Sequence, residues 1–157
     1  MNQDKTDRLE ITRIQWTGLV ILRMCVGWHL LYEGLIKITD PGWSSAPYLQ
    51  ESNGIFSDIF KTIAENPGWL SFVDILNPWM LMFSGFALIA GFLTKTASYT
   101  AMILLLIFYL AQPPFGDATD LVVNAVLIEA ALLFVLALFP TGKIIGFDRL
   151  IYLSKRK

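Results

Sequence analysis

Arg23, His29, Glu33 and Lys37 fall within fifteen residues of a stretch that otherwise reads as membrane-spanning. Ionisable side chains in hydrocarbon are expensive, so they face a partner, water or a ligand more often than lipid. Histidine and glutamate can exchange protons, and arginine and lysine can stabilise an anion. On a helix advancing about 100° per residue, with Arg23 at zero, His29 falls near 240°, Glu33 near 280° and Lys37 near 320°. The four therefore form one stripe. Glu33 lies four residues from both His29 and Lys37, and such neighbours pair along a helix. Gly27 and Gly34 lie beside the stripe and permit close approach of a second helix, which turns the ionisable face toward the bundle. A later apolar run contributes Glu129, which at that depth must be protonated, paired or beside water, and in each state is a candidate proton carrier.

The same groups have plainer readings. Arg23, about 9 Å from one edge of its span, can snorkel to headgroups or hold carbonyls between helices. Lys37 can anchor at the opposite surface with Glu33 as counter-ion, and a lone histidine can be a hydrogen-bonded interior group. Glu129 is the hardest to assign to structure alone.

The elements that must position these groups are transmembrane helices. Hydrophobic residues make up 55% of the 157 and mean hydropathy is +0.55, above the usual range for a soluble domain. Spanning a bilayer core of about 30 Å takes about 20 apolar residues. Four stretches approach this length, at 17–38, 78–94, 97–111 and 121–139, which predicts a single all-α membrane domain over 1–157. Measured by helical rise, His29 and Glu129 lie at matching depths of roughly 12 to 14 Å below the outer surface, and Glu33 and Asn124 at about 5 to 8 Å. Asn124 and Glu129 do not share a helix face.

Lys5, Arg8 and Arg13 precede the first span, Lys95 separates the second from the third, and Lys143, Arg149, Lys155, Arg156 and Lys157 follow the fourth. The connection 39–77 carries one base against five acids, and the connection 112–120 has acids only. Both termini are therefore expected on the cytoplasmic side. The amino end mixes acids and bases ahead of a long apolar run, so the first helix is expected to remain as an anchor. The basic tail is expected to lie on anionic headgroups. Within the outer loop, Ile55, Phe56, Ile59, Phe60 and Ile63 recur at helical spacing, which predicts an amphipathic helix in the interface from Ile55 to Glu65. It serves either as an anchor or as a lid over a site between the helices.

Absences narrow the chemistry. The net charge of -1 and pI near 5.7 give no footprint for nucleic-acid binding. One histidine cannot supply two axial haem ligands, and one cysteine, Cys25, supports neither a disulfide relay nor a thiolate cluster. Neither haem nor a metal is expected. Nucleotide loops, zinc spacings and nucleophile elbows are missing as well.

Leu22-Arg23 with Gly27, Gly34 and Lys37 opens a series of short motifs. Gly85 and Gly91-Phe92-Leu93-Thr94-Lys95 follow, then Asn124 and Glu129, then Gly142-Lys143 and Gly146-Phe147-Asp148-Arg149-Leu150. In order and spacing this series resembles the DoxX family, which includes the related small DoxD subunit of thiosulfate:quinone oxidoreductase. The resemblance implies a compact four-helix bundle in a bacterial inner membrane, acting beside a redox partner that passes electrons to quinone. Other relatives are linked to thiol or oxidative-stress systems. It also marks Arg23, Gly34, Lys37, Asn124 and Glu129 as site positions.

Together these readings lead to the expectation of a membrane subunit of a quinone-linked oxidoreductase, with quinone or a small redox ligand held between helices. His29 or Glu33 would hydrogen-bond a quinone oxygen and exchange its proton, and Arg23 or Lys37 would stabilise negative charge. Glu129 would aid proton passage, and Trp28, Tyr32 and Tyr109 would pack against the ring. A separate redox protein must then supply the electrons, and homo-oligomerisation is left open. The alternative is a non-catalytic anchor or assembly factor that recruits an extracytoplasmic redox partner through the outer loop. A small transporter ranks last, because the spans show no internal repeat.

Overall fold

The computed structural model describes residues 12–113 and 123–154. Among them every regular element is helical. α1 (Arg13–Thr39) begins at Thr12, whose hydroxyl accepts from the Gln15 amide while the Gln15 side chain accepts from the Thr12 amide. This reciprocal cap satisfies two of the amides a helix start leaves open. The chain then forms two short helices, α2 (Ala46–Gln50) and α3 (Ser57–Glu65), and returns through α4 (Pro67–Ala90). α5 (Thr94–Ala111) and α6 (Ala125–Leu138) follow, and α7 (Thr141–Ile144) and α8 (Phe147–Ser154) close the chain. We call the end carrying α2 and α3 the loop end, and the end carrying the start of α1 with α7 and α8 the terminal end.

Two helix boundaries differ from the sequence reading. The second span, expected at 78–94, is α4 from Pro67 to Ala90. Asn66 Oδ1 accepts from the amides of Gly68 and Trp69, and Pro67 occupies the first helical position, where its missing N–H costs nothing. Pro78 therefore lies in the helix interior, where it removes the bond its nitrogen would otherwise give to the Asp74 carbonyl. Gly91 stops the helix in the left-handed region, φ +66°, and the Phe92 amide reaches back to Ala87 O.

The fourth span, expected at 121–139, is observed as α6 from Ala125 to Leu138; residues 114–122 lie outside the described residues. Asn124, expected inside the span and level with Glu33, stands at its start. Its side chain accepts from the Leu127 amide and caps the helix. The fourteen residues of α6 measure roughly 21 Å, short of a bilayer core. α1, α4 and α5 are each long and apolar enough to cross a membrane. The outer amphipathic helix is present, starting at Ser57 instead of Ile55, and α2 was not anticipated.

α1 and α4 pack antiparallel along nearly their whole length, and glycine makes this possible. A Cβ on Gly34 would come within 2.6 Å of Met82 N and 2.8 Å of Pro78 O. A Cβ on Gly85 would collide with Leu31 N and lie 2.6 Å from Gly27 O. The close approach expected of Gly27 and Gly34 is thus made with α4. The other tight pair is α5 with α6, and the two pairs share a core that includes Leu30, Leu81, Leu88, Leu105 and Leu133. Outside it, large apolar side chains such as Ile21, Phe83 and Phe86 are exposed, as a lipid-facing surface requires. The chain is a multi-pass integral membrane protein.

Candidate functional site

A cavity of about 510 Å³ lies between α1, α4, α5 and α6 toward the loop end. Leu30, Leu81, Leu104 and Leu105 give it an apolar wall. Its polar groups come from separate elements: His29, Glu33 and Lys37 from α1, Asn77 from α4 and Glu129 from α6. Trp43, Ser44, Ser45, Tyr48 and Leu49, with Phe60 and Ile63 of α3, line it from the connection between α1 and α4. That connection is therefore a roof and not a linker.

The roof is fastened on two sides. Asp74, on α4, accepts hydrogen bonds from Ser44 Oγ at 2.9 Å, from Ser45 N at 2.8 Å and from Ser45 Oγ. On the other side Tyr48 donates to Phe108 O at 2.7 Å, Ser52 to Ala111 O, and Gln112 Nε2 to Tyr48 O at 3.1 Å. Burial pushes the Tyr48 phenol above its ordinary range, so it remains a donor. Ile55, Phe56 and Ile59 stay exposed on the far side of the roof, where an interfacial helix places its apolar residues.

At the opposing wall His29 Nδ1 and Glu129 Oε1 stand 2.8 Å apart, joining α1 to α6. The matching depth read from helical rise is borne out by this contact. The His29 side chain is 57% exposed and that of Glu129 15%. The helix wheel explains the difference: the buried face of α1 centres on Leu30, Gly34 and Arg23, and His29 lies about 120° from that centre, so the stripe expected to face the bundle turns largely outward at this residue. With the Glu129 carboxylate ionised, Nδ1 carries a proton and donates it, which leaves the Nε2 lone pair as a proton acceptor. Should Nε2 take a proton, the carboxylate stabilises the resulting imidazolium. Glu33 Oε2 binds Lys37 Nζ one turn further along α1.

The other sequence candidates are placed elsewhere. Trp28 and Tyr32 are exposed and do not line the cavity; on the wheel they fall opposite the buried face, so the aromatic lining comes from Trp43, Tyr48, Phe60 and Phe108 instead. Tyr109 is half-buried on α5 outside the lining. Gly34 supports the α1–α4 contact and Asn124 caps α6.

Arg23 lies at the terminal end, 1% exposed, with Nη2 donating to Ile145 O at 2.8 Å. It belongs to a structural knot. Gly91 and Gly146 touch there through backbone, and a Cβ on Gly91 would meet Gly146 Cα at 2.6 Å. Beside them Asp148 accepts from the amides of Leu93 and Thr94 and from Thr94 Oγ1, at 2.7 to 3.0 Å. These bonds hold Leu93 at φ +46°, a region non-glycine residues seldom occupy.

Sequence reasoning missed three residues. Asp74 and Asp148 act on loops remote in sequence; no local signal marks Asp74, and Asp148 stood in the Gly146–Leu150 motif without a role. Asn77 is 6% exposed, lines the cavity, and has no hydrogen-bond partner for Oδ1. An asparagine next to a proline inside an apolar run was the available clue.

A family model described as DoxX matches residues 18–112, from α1 to just past α5. The chain belongs to the DoxX family. No curated protein and no solved structure matches it. In this DoxX protein Glu129 and the knot residues after Phe139 lie beyond the matched segment, yet they bond to elements inside it.

Proposed function

We propose that this DoxX protein is the membrane subunit of a quinone-linked oxidoreductase system and that the cavity receives the quinone headgroup. The observation that carries the reading is the His29–Glu129 pair at the wall of an apolar cavity. A volume of about 510 Å³ sits within the range of small-molecule sites, about 300 to 1,000 Å³. The residues suit the group: Lys37 and a protonated His29 can donate to carbonyl oxygens, and Glu129 can accept from hydroxyls.

Quinone bound there would supply two-electron redox chemistry. The chain's own residues supply proton handling and exclusion of water. His29 gives or takes a proton at Nε2 while Glu129 holds the ring and balances its charge. Lys37, already beside Glu33, adds positive potential at the other level of the cavity. The roof over α4 and α5 keeps bulk water from the headgroup. Electrons come from a separate redox protein, which docks on the roof side. The positive-inside pattern supports that side as the outward one and both termini as cytoplasmic, and the family resemblance is what suggests a bacterial inner membrane.

The test is direct binding. Trp43 lines the cavity, so a short-chain benzoquinone titrated into protein in lipid nanodiscs should quench tryptophan fluorescence saturably. His29→Ala and Glu129→Gln should each weaken binding at least about tenfold, the worth of one charge-assisted hydrogen bond. The reading is overturned by absence of saturable binding in the wild type, together with undiminished electron transfer in the His29→Ala, Glu33→Gln double variant.

A further inference from the structure

At the terminal end the first turns of α1 are left without α4 beside them. Gly27 packs on Gly85 and Leu88, and continuing that antiparallel register brings Arg23 level with Gly91, where α4 stops. The stretch from Arg13 to Leu22 therefore projects past α4. Arg13, Trp16, Thr17 and Val20, spaced three and four apart, share one face of this projection. Ile144 and Ile145, at the end of α7, stand across from them and complete a groove of about 350 Å³.

The walls of the groove are fixed. The next residue on its α1 stripe is the buried Arg23, whose Nη2 holds Ile145 O at 2.8 Å. Trp16 meets Phe139 edge-on, with ring centroids 6.1 Å apart. Past Arg13 the lining is largely apolar, and the Thr17 hydroxyl is donated to Arg13 O at 3.0 Å.

Charge around the groove is one-sided. Arg13, Lys95, Lys143 and Arg149 are exposed at this end. Asp148, the acid among the described residues there, already accepts from the Leu93 and Thr94 amides. Among the described residues none of the four cations has a carboxylate partner. A cationic rim on an apolar groove suits a molecule that is an anion at one end and hydrocarbon at the other. Soluble phosphate would leave the apolar walls uncovered, whereas a phospholipid covers them and is the solvent of a membrane protein. From Arg13 to Val20 the helix rises about 10 Å, from the start of the span toward its interior. A headgroup at Arg13 thus lets its acyl chain follow α1 inward, the direction in which lipid chains already run.

We propose that this groove is an anionic phospholipid site: Arg13 pairs with the phosphate, and an acyl chain lies along Trp16, Val20, Ile144 and Ile145. The neighbouring cations raise the local potential and favour net-negative headgroups over zwitterionic ones. The site is independent of what the loop-end cavity holds. It also differs from the attraction of the basic tail to headgroups, which needs no groove. One basic residue near an anionic headgroup corresponds to about a fivefold change in affinity.

The full-length protein, stripped of lipid in neutral detergent, is given equal amounts of dioleoyl phosphatidylglycerol and dioleoyl phosphatidylcholine, and bound lipid is counted by native mass spectrometry. The wild type should retain phosphatidylglycerol in preference by at least about fivefold. Arg13→Gln should cut that retention about fivefold, and Arg13→Lys, which keeps the charge, should preserve most of it. Thr17→Phe fills the groove and should remove both lipids; Thr17 is exposed, so the added ring displaces no core residue. Lys155→Gln, Arg156→Gln and Lys157→Gln together should leave the preference in place. Added phosphatidylglycerol should raise the melting temperature of the wild type and of the tail variant, but not of Arg13→Gln or Thr17→Phe.

Equal retention of the two lipids by the wild type overturns the proposal. So does a preference that survives both Arg13→Gln and Thr17→Phe, or one that the tail substitutions alone remove. Displacement of the bound lipid by millimolar glycerol phosphate overturns it as well, because an anion without hydrocarbon would then be sufficient.

Discussion

The His29–Glu129 pair makes an asymmetric prediction. Glu129 is largely buried and His29 is more than half exposed, so the two single variants are not equivalent. His29→Gln leaves a buried carboxylate without its partner, which costs up to about 3 kcal/mol. Glu129→Gln leaves an exposed imidazole that can turn elsewhere, at a cost of about 1 kcal/mol. The contact itself, 2.8 Å and charge-assisted, is worth about 1.5 to 3 kcal/mol when shielded. Exposure of His29 reduces that toward the lower value. A double-mutant cycle should therefore return a coupling of about 1 to 1.5 kcal/mol, measured as unfolding free energy in mixed micelles by circular dichroism. Additivity within about 0.3 to 0.5 kcal/mol would refute the pairing. So would a greater loss from Glu129→Gln than from His29→Gln.

Three further outcomes follow from other contacts. Gly85→Ala places a methyl group against the backbone of Leu31 and Gly27, so α1 and α4 must part; thermal melts should register a loss of about 1 to 3 kcal/mol, whereas Gly18→Ala, with open space around it, should lose nothing. Asp74→Ala removes three hydrogen bonds from the roof; amide exchange should quicken across 43–50 and leave the cores of α1 and α5 protected. Tyr48 has its proton affinity raised by burial, so its contribution to stability is complete below the ordinary phenol value of 10.0 and is lost as pH rises through the higher folded value; Tyr48→Phe should flatten that alkaline decline in melts recorded against pH.

Much of this arrangement was legible in the residues. The spacing of Gly27 and Gly34 announced a close helix neighbour, and helical rise put His29 level with Glu129. Both inferences need only helix geometry, which is the same in every protein. What failed was the meaning of single polar residues at helix ends. Pro78 looked like a start and is interior, because Asn66 and Pro67 already supply a better cap eleven residues earlier. Asn124 looked like a polar group inside the span, level with Glu33, and is a cap, because α6 begins there. Trp28 and Tyr32 looked like ring-stacking partners but turn outward with the far side of α1. Choosing among such readings takes knowledge of which helix packs where. The roles of Asp74 and Asp148 were not legible, although Asp148 stood in the Gly146–Leu150 motif, since their partners lie about 30 and 55 residues away and a carboxylate can cap any loop brought within reach.

The position of the cavity follows from unequal helix lengths. α4 has twenty-four residues and α6 has fourteen, a difference of about 15 Å of rise. At the terminal end the helices finish together and the knot of Arg23, Gly91, Gly146 and Asp148 closes them with side-chain and backbone hydrogen bonds. The missing length of α6 therefore appears at the loop end, where Val126 and Glu129, in its first two turns, face the open volume. A full-length fourth helix would fill that space with side chains and make the roof unnecessary. The short one leaves Glu129 near the end of its helix and within reach of His29, and it obliges the α1–α4 connection to fold over the gap. On the proposed reading the chemistry belongs to the end of the bundle where packing is incomplete, and the knot around Gly91 and Gly146, the second of them past the family-matched segment, makes the other end rigid enough to set the register.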